Sequence, residues 1–383
     1  MILVSFDRRA IRYCDWVSVG IMLILSCVGL ILVYSATCQS AAGEIVYSSF
    51  FKKQCWGVLS GLCIYVLMMS SDVTFLQRIG YFIYFAVILL LIFTSITGTI
   101  GLGARRWIDI GIVKFQPSEL AKLFVPAFMT YYFMTEPQWP TSRFLVYFTP
   151  FILLCVSVLL ILKQPDLGTA ILVGSVGILM LWLVGVPQRF FILCAVGAAV
   201  TAPLLWQGLK PYQRQRILVF LGGGDARKER YQIEQSQIAV GSGGIWGKGF
   251  LRGTQNKLLF LPESRTDFIF AVLCEEWGLI GAFFVIILYS LLAIRLLMRM
   301  RMITDFFSKL LAVGLLLPTL GSIIINMGMV LGMLPIVGIP LPFLSYGITH
   351  LWISYASIGW AHNIIIYRTP RDRATFTTHD EVL

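Results

Sequence analysis

Charge is what this chain has least of. Only 13% of its 383 residues are Asp, Glu, Lys or Arg, whereas 58% are apolar, and the mean hydropathy is +0.82. Soluble domains are about a quarter charged, so a water-soluble fold is excluded. Histidine is scarce as well: His350, His362 and His379 share no spacing, and none is assigned to a metal. Eight scattered cysteines form no Cys-x-x-Cys pair or Cys/His cluster, leaving zinc and dithiol redox sites unsupported. Cys38 and Cys55 flank one short loop and are read as two separate thiols rather than a bridge. No short apolar region with a small-residue cleavage site precedes the first long run, so no signal peptide is expected. Neither Gly222-Gly223-Gly224 nor Gly241-Ser242-Gly243-Gly244 continues into Gly-Lys-Ser/Thr, which excludes a P-loop.

What the chain has in abundance is long, continuous apolar runs, unlike the alternating strands of a porin. They predict an all-α polytopic membrane protein of one domain. Ten spans are expected, at about 16–37, 55–70, 80–97, 117–134, 144–162, 168–185, 190–207, 267–294, 307–330 and 343–366. Pro150, Pro203 and Pro318 are candidates for kinks. One large loop, 208–266, and a polar tail, 367–383, lie outside the spans.

Basic residues in short loops set orientation. With the N-terminus inside, the inner side holds 13 of them, including Arg8, Arg9, Arg12, Arg295, Arg299 and Arg301. The short outer loops hold six: Lys52, Lys53, Arg105, Arg106, Lys114 and Lys163. Both termini are therefore expected in the cytoplasm and the large loop outside. That loop carries ten basic and four acidic residues, a net charge of +6. Such an excess on the outer face suits an anionic partner such as a phosphate-bearing lipid headgroup, although an ordinary solvated loop remains open. The overall charge of +11 is accordingly not read as a nucleic-acid signature.

Ionisable groups inside a membrane are costly and so are candidates for function. Glu119 and Lys122 lie three apart at the start of the fourth span, on one helix face, where they can pair. Gln116-Pro117-Ser118-Glu119 reads as a helix start, with proline in the first turn and an acid at the positive end of the dipole. Asp267 opens the eighth span, whose 28 residues would reach roughly 42 Å against a ~30 Å hydrocarbon layer. Its first turns thus belong in the outer interface, where catalysis by a carboxylate base and simple helix capping both remain open. Glu275 and Glu276 do not share its face and are expected to pair with Lys or Arg. Asp166, before the sixth span, is placed either as a helix cap or in the lining of an outer cavity.

Together the motifs are specific. Gly103-Ala104-Arg105-Arg106-Trp107, Phe115-Gln116-Pro117-Ser118-Glu119-Leu120, Gln164-Pro165-Asp166-Leu167-Gly168-Thr169 and Tyr212-Gln213-Arg214-Gln215-Arg216 resemble the SEDS family of cell-wall proteins (shape, elongation, division and sporulation). So do Ile238 to Gly244, Gly247-Lys248-Gly249, Gly253-Thr254-Gln255, Phe260-Leu261-Pro262-Glu263, Thr266-Asp267-Phe268-Ile269-Phe270-Ala271 and Pro342-Phe343-Leu344-Ser345-Tyr346-Gly347. The resemblance spans nearly the whole chain, in order, and leans toward the elongation branch. Three places depart from the family pattern: Arg265 where His is usual, Gly347-Ile348-Thr349-His350 for the common Gly-Gly-Ser-Ser, and Gly222-Gly223-Gly224-Asp225 for a Phe-Leu-Asp-Pro type turn.

The resemblance implies a ten-helix peptidoglycan glycosyltransferase that polymerises lipid II at the outer face of the cytoplasmic membrane, releasing undecaprenyl diphosphate. It implies a class B penicillin-binding protein and other elongation-complex membrane proteins as partners. Asp267 takes the position of the essential acid, Glu119 and Lys122 of the paired charges, and Arg106 of the loop arginine. Arg106, Lys122, Arg214 and Arg216 are the candidates to stabilise the leaving diphosphate, with Asp166 nearby. No dedicated metal cage is visible, and a divalent Mg²⁺ or Mn²⁺ would come with the substrate phosphates. A lipid II flippase and a non-catalytic scaffold for the transpeptidase are the competing expectations.

Overall fold

The structure is a computed structural model. It describes residues 13–37, 40–41, 44–45, 48–101, 104–109, 111, 114–137, 139, 144–208, 214, 218, 227–257, 260–261 and 263–369. Cys38, Arg216, the Gly222–Gly224 run and the tail beyond Thr369 lie outside the described residues.

Helices dominate. Among the described residues ten of them have 17 to 32 residues: α1 (Trp16–Thr37), α2 (Ser49–Ser70), α3 (Val73–Thr97), α4 (Pro117–Thr135), α5 (Phe144–Lys163), α6 (Leu167–Leu183), α7 (Gln188–Gly208), α10 (Ile269–Met300), α11 (Phe306–Val330) and α12 (Ile348–Arg368). Between α7 and α10 lie α8 (Arg227–Ser242) and the single turn α9 (Thr254–Lys257). α1, α3, α5, α10 and α11 are long and apolar enough by composition to cross a membrane. Leu, Ile, Phe and Trp side chains stay exposed along α1, α3, α7 and α10, as a lipid solvent permits. The chain is a multi-pass membrane protein.

Element ends differ from expectation where polar caps extend a helix past its apolar run. α2 begins at Ser49 because the Ser48 hydroxyl accepts from Phe50 N, so Lys52 and Lys53 sit in a helix and not a loop. α3 begins at Val73, capped by Asp72, which accepts from Phe75 N. The all-α expectation also misses a small antiparallel sheet just before α4, β3 (Thr99–Gly101), β4 (Ala104–Asp109) and β5 (Lys114–Phe115), and a two-residue hairpin, β1 (Ser40–Ala41) with β2 (Glu44–Ile45). These strands are too short to produce a period in the sequence.

α12 runs through the centre, packed on α2, α11 and α4. Small residues let it approach α2: a Cβ at Gly61 would meet the Tyr355 ring at 2.4 Å, and one at Gly359 the Tyr65 carbonyl at 2.7 Å. From the end of α11, residues 331–347 return as a strap without regular structure and feed α12. Gln54 of α2 holds the strap, donating from Nε2 to the Ser345 carbonyl at 3.1 Å.

Candidate active site

The site starts where two helix N-termini converge on one carboxylate. Pro117 opens α4 with its φ already helical, and Asp166 caps α6 by accepting from Thr169 N at 3.2 Å. The other Asp166 oxygen accepts from Gln116 Nε2 at 2.6 Å and Ser118 Oγ at 2.8 Å, and all three side chains are buried. Negative charge is favoured at this position by both dipoles. Asp166 thus acts as a cap that also ties α4 to α6.

One residue further along α4, Glu119 is buried. Its Oε1 accepts from Lys122 Nζ at 2.7 Å, and its Oε2 faces His350 Nδ1 at 3.1 Å. The pair uses the i, i+3 spacing on one face of α4. His350, from the run after Tyr346, is a partner that the sequence gives no means of finding, because 231 residues separate it from Glu119.

Asp267 lies on the turn 263–268, just ahead of α10. Phe268 is the N-cap and makes no side-chain cap bond, so Asp267 stands one residue ahead of the cap position. The turn is pinned through its backbone. Asn326 Nδ2 of α11 donates to the Asp267 carbonyl at 2.8 Å and to the Ile339 carbonyl at 2.7 Å. Ser345 Oγ donates to the Thr266 carbonyl at 2.5 Å, and Tyr346 N donates to the Arg265 carbonyl at 2.9 Å. The Arg265 guanidinium lies over the Phe50 ring, 4.0 Å from its centroid. The Asp267 carboxylate rests against Gly338, which has φ 73° and where a Cβ would stand 3.4 Å from Oδ2. On either side of Gly338, Val337 and Ile339 press on Gly168, two residues from Asp166. The strap therefore joins Asp267 to the Asp166–Ser118–Glu119 group, although neither the loop composition nor helical spacing signals it.

The remaining cations divide. Arg106 is half-buried on β4, and the sheet leads through β5 directly into Gln116; its Nε has no protein partner. Arg214 donates to the Gln207 carbonyl at the end of α7, so the described contacts do not bring it to Asp267. Arg216 is outside the described residues. Glu275 pairs with Lys248 at 2.7 Å and also accepts from Thr254 Oγ1, Thr254 N and Gln255 N. Glu276, expected to pair with Lys or Arg, instead accepts from the Ser35 hydroxyl of α1 and lies against Gly253. Together these two acids hold residues 243–255 onto α10. At its kink Gly278 (φ 67°) meets Gly247 (φ 79°) so closely that a Cβ on Gly278 would stand 2.3 Å from Gly247 N. Among the described residues no three His, Cys, Asp or Glu side chains gather as a metal site.

Comparison with known proteins decides the family. The FTSW_RODA_SPOVE model, described as a cell cycle protein, matches residues 15–369. The chain belongs to the FtsW/RodA/SpoVE family. Within that family it is 40% identical to the peptidoglycan glycosyltransferase MrdB of Escherichia coli K12 over 341 residues, 88% of this chain and 91% of the relative. Among solved structures of the family, it matches a chain described under "Structural coordination of polymerization and crosslinking by a peptidoglycan synthase complex". The TM-score there is 0.76 at 28% identity, covering 94% of this chain and 98% of that one. It also matches the rod shape determining protein RodA of Thermus thermophilus, with TM-score 0.68 and 25% identity over 93% and 97% of the two chains.

Proposed function

We infer that this FtsW/RodA/SpoVE member is a peptidoglycan glycosyltransferase that polymerises lipid II into β-1,4-linked glycan. Its ten long helices cross the cytoplasmic membrane with both termini inside, and the large loop 208–266 faces outward with the site. The donor sugar is α-linked to diphosphate and the product is β-linked, so one inverting displacement is sufficient. The acceptor's 4-hydroxyl oxygen forms a bond to the donor's anomeric carbon while the bond from that carbon to the diphosphate oxygen breaks. Asp267 takes the hydroxyl proton, and the electron pair leaves with the polyprenyl diphosphate. Arg106 and Lys122 are the cations assigned to that developing charge, followed by Arg214 and Arg216. A divalent ion enters as a companion of the substrate, whose phosphate oxygens would supply most of its ligands.

One observation carries the assignment of the base. Asp267 is half-exposed, on a turn locked through its own carbonyl and its neighbours' carbonyls, with its carboxylate against a residue that has no side chain. A base must be held in place while leaving room for a substrate, and this arrangement meets both needs. The likeness to a chain from a peptidoglycan synthase complex supports a partner that cross-links the strands, a class B penicillin-binding protein.

The test is polymerisation of purified lipid II by this protein with the partner's transpeptidase blocked. Loss of a general base costs about 10²–10⁴ in rate, so Asp267→Asn should leave no detectable polymer. Wild-type yield and chain length from Asp267→Asn would remove Asp267 from the chemistry and favour the scaffold.

A further inference from the structure

Behind the Glu119–Lys122 pair lies a cavity of about 10 Å³, bounded by Lys122 of α4, Thr319 and Ser322 of α11, and His350, Ser354 and Ser357 of α12. That is the room one water needs and too little for two. We propose that it holds a single ordered water bridging Lys122 and His350, and that His350 is thereby a positioning residue for the Glu119–Lys122 pair.

The hydrogen-bond inventory around the cavity selects the occupant. Lys122 has three N–H donors and spends one on Glu119 Oε1, so two remain on a side chain that is 4% exposed. His350 is 6% exposed, and its Nδ1 is engaged by Glu119 while its Nε2 is buried without a protein partner. One carboxylate already balances one ammonium, so a neutral imidazole with its proton on Nδ1 closes the local charge. Nε2 is then a bare acceptor. The serine hydroxyls have spent their donors on backbone: Ser322 on the Pro318 carbonyl at 2.8 Å, Ser354 on the His350 carbonyl at 2.9 Å, and Ser357 on the Leu315 carbonyl. They present lone pairs only.

A small anion would face the bare Nε2 and three serine lone pairs beside an ammonium that Glu119 already balances, and a metal cation would sit against that ammonium. Water alone matches. It accepts from Lys122, donates to His350 Nε2, and has a second proton for a serine oxygen. Glu119, Lys122, water and His350 then form a closed ring that fixes the Lys122 ammonium in one direction.

The functional half of this inference rests on the glycosyltransferase reading, and the test separates the two. Density from the wild-type protein in lipid nanodiscs, at a resolution that shows waters, should contain one peak within hydrogen-bond reach of both Lys122 Nζ and His350 Nε2. A cavity without that peak overturns the water. In the lipid II assay, His350→Leu should lower kcat about tenfold or more with KM held within about twofold, because it removes a bond to a buried charge. His350→Gln, which keeps a donor for Glu119 and an acceptor for the water, should recover to within about threefold of wild type. Wild-type kcat from His350→Leu, or no recovery by His350→Gln in a folded protein, overturns the positioning role. If His350→Leu fails to fold, the wild-type density and His350→Gln still decide. Should wild type make no polymer at all, the glycosyltransferase reading fails and the density alone judges the water.

Discussion

Lys122→Met removes one charge of a buried pair and leaves the other in place. At the 2.7 Å contact between Lys122 Nζ and Glu119 Oε1, the gross attraction is about 6 kcal/mol for an effective dielectric constant near 20. Much of it offsets the cost of taking both ions out of water, but that cost is not recovered when only one ion goes. Both side chains are about 95% buried, so the orphaned Glu119 keeps only His350 as a polar partner, and the loss expected is about 3–5 kcal/mol. Glu119→Gln should be costly for the mirror reason, leaving Lys122 charged between α4 and α12. The double variant Glu119→Gln/Lys122→Met buries no charge at all and should recover most of the loss. The assay is a double-mutant cycle of unfolding free energies in one detergent, with coupling of at least about 2 kcal/mol as the expected result. Additive losses, with the double variant worse than either single one, would falsify the view that these two charges stabilise the fold only as a pair.

Asn326→Leu should cost both stability and rate. It leaves the Asp267 and Ile339 carbonyls unsatisfied, at about 1–3 kcal/mol each, and frees the turn that holds the base. Lipid II turnover should fall more than the unfolding midpoint, and turnover equal to wild type would disconnect the turn from the chemistry. At the other end of the bundle, Asp15 gives a pH signature. Burial pushes its carboxyl up, but the hydrogen bonds from Arg295 and Ser18 and the charges of Arg295 and Arg299 outweigh burial and hold it below the usual carboxylate range. A lowered folded-state value gives stability that is present above the unfolded value, about 3.9, and is lost as pH falls through the folded one. Asp15→Asn should therefore lower the unfolding midpoint at pH 7, and the gap from wild type should close in acid below about pH 4. A gap that stays unchanged well below pH 4 would mean that the carboxylate charge contributes nothing there.

The helices and the local pairs were legible from the amino acids alone. Continuous apolar runs located the long helices, and the spacing of Glu119 and Lys122 on one helix face matches the contact found. Asp166 before an apolar run carried its capping role openly. Long-range partners were not legible. Ser118 meets Asp166 across 48 residues, Ser35 meets Glu276 across 241, and His350 meets Glu119 across 231. Each is a single polar contact without a period, and only packing brings it about. The interlock of Gly247 with Gly278 is hidden for another reason: two glycines reveal nothing until their positive φ values and shared backbone contact are seen together. Asp267 was assigned by its motif, whereas its anchoring by Asn326 and the strap depends on a segment with no regular structure.

The distribution of charge along the helices argues for chemistry at one face and against passage through the membrane. α1 and α10 are tied at both ends, by Asp15 with Arg295 and by Ser35 with Glu276. Along α1 those ties are 20 residues apart and along α10 they are 19 apart, about 30 Å and 28 Å of helix, which is the thickness of a hydrocarbon core. Between them α10 carries no charge from Trp277 to Ile294, and α4 carries none from Leu123 to Thr135, about 20 Å of helix. Glu119 and Lys122 fall in the first two turns of α4, beside Asp166, and the strap connects that end to Asp267, nine residues outside Glu276. A transporter needs its polar site near the midplane, reached alternately from both sides. Here the carboxylates and cations crowd the end of the bundle that carries Asp267, and the apolar depth of α4 and α10 below them offers a headgroup no stepping stone. A lipid-linked substrate can lie with its tail along those helices and its diphosphate at that end, where transfer of the sugar needs no movement of charge across the bilayer.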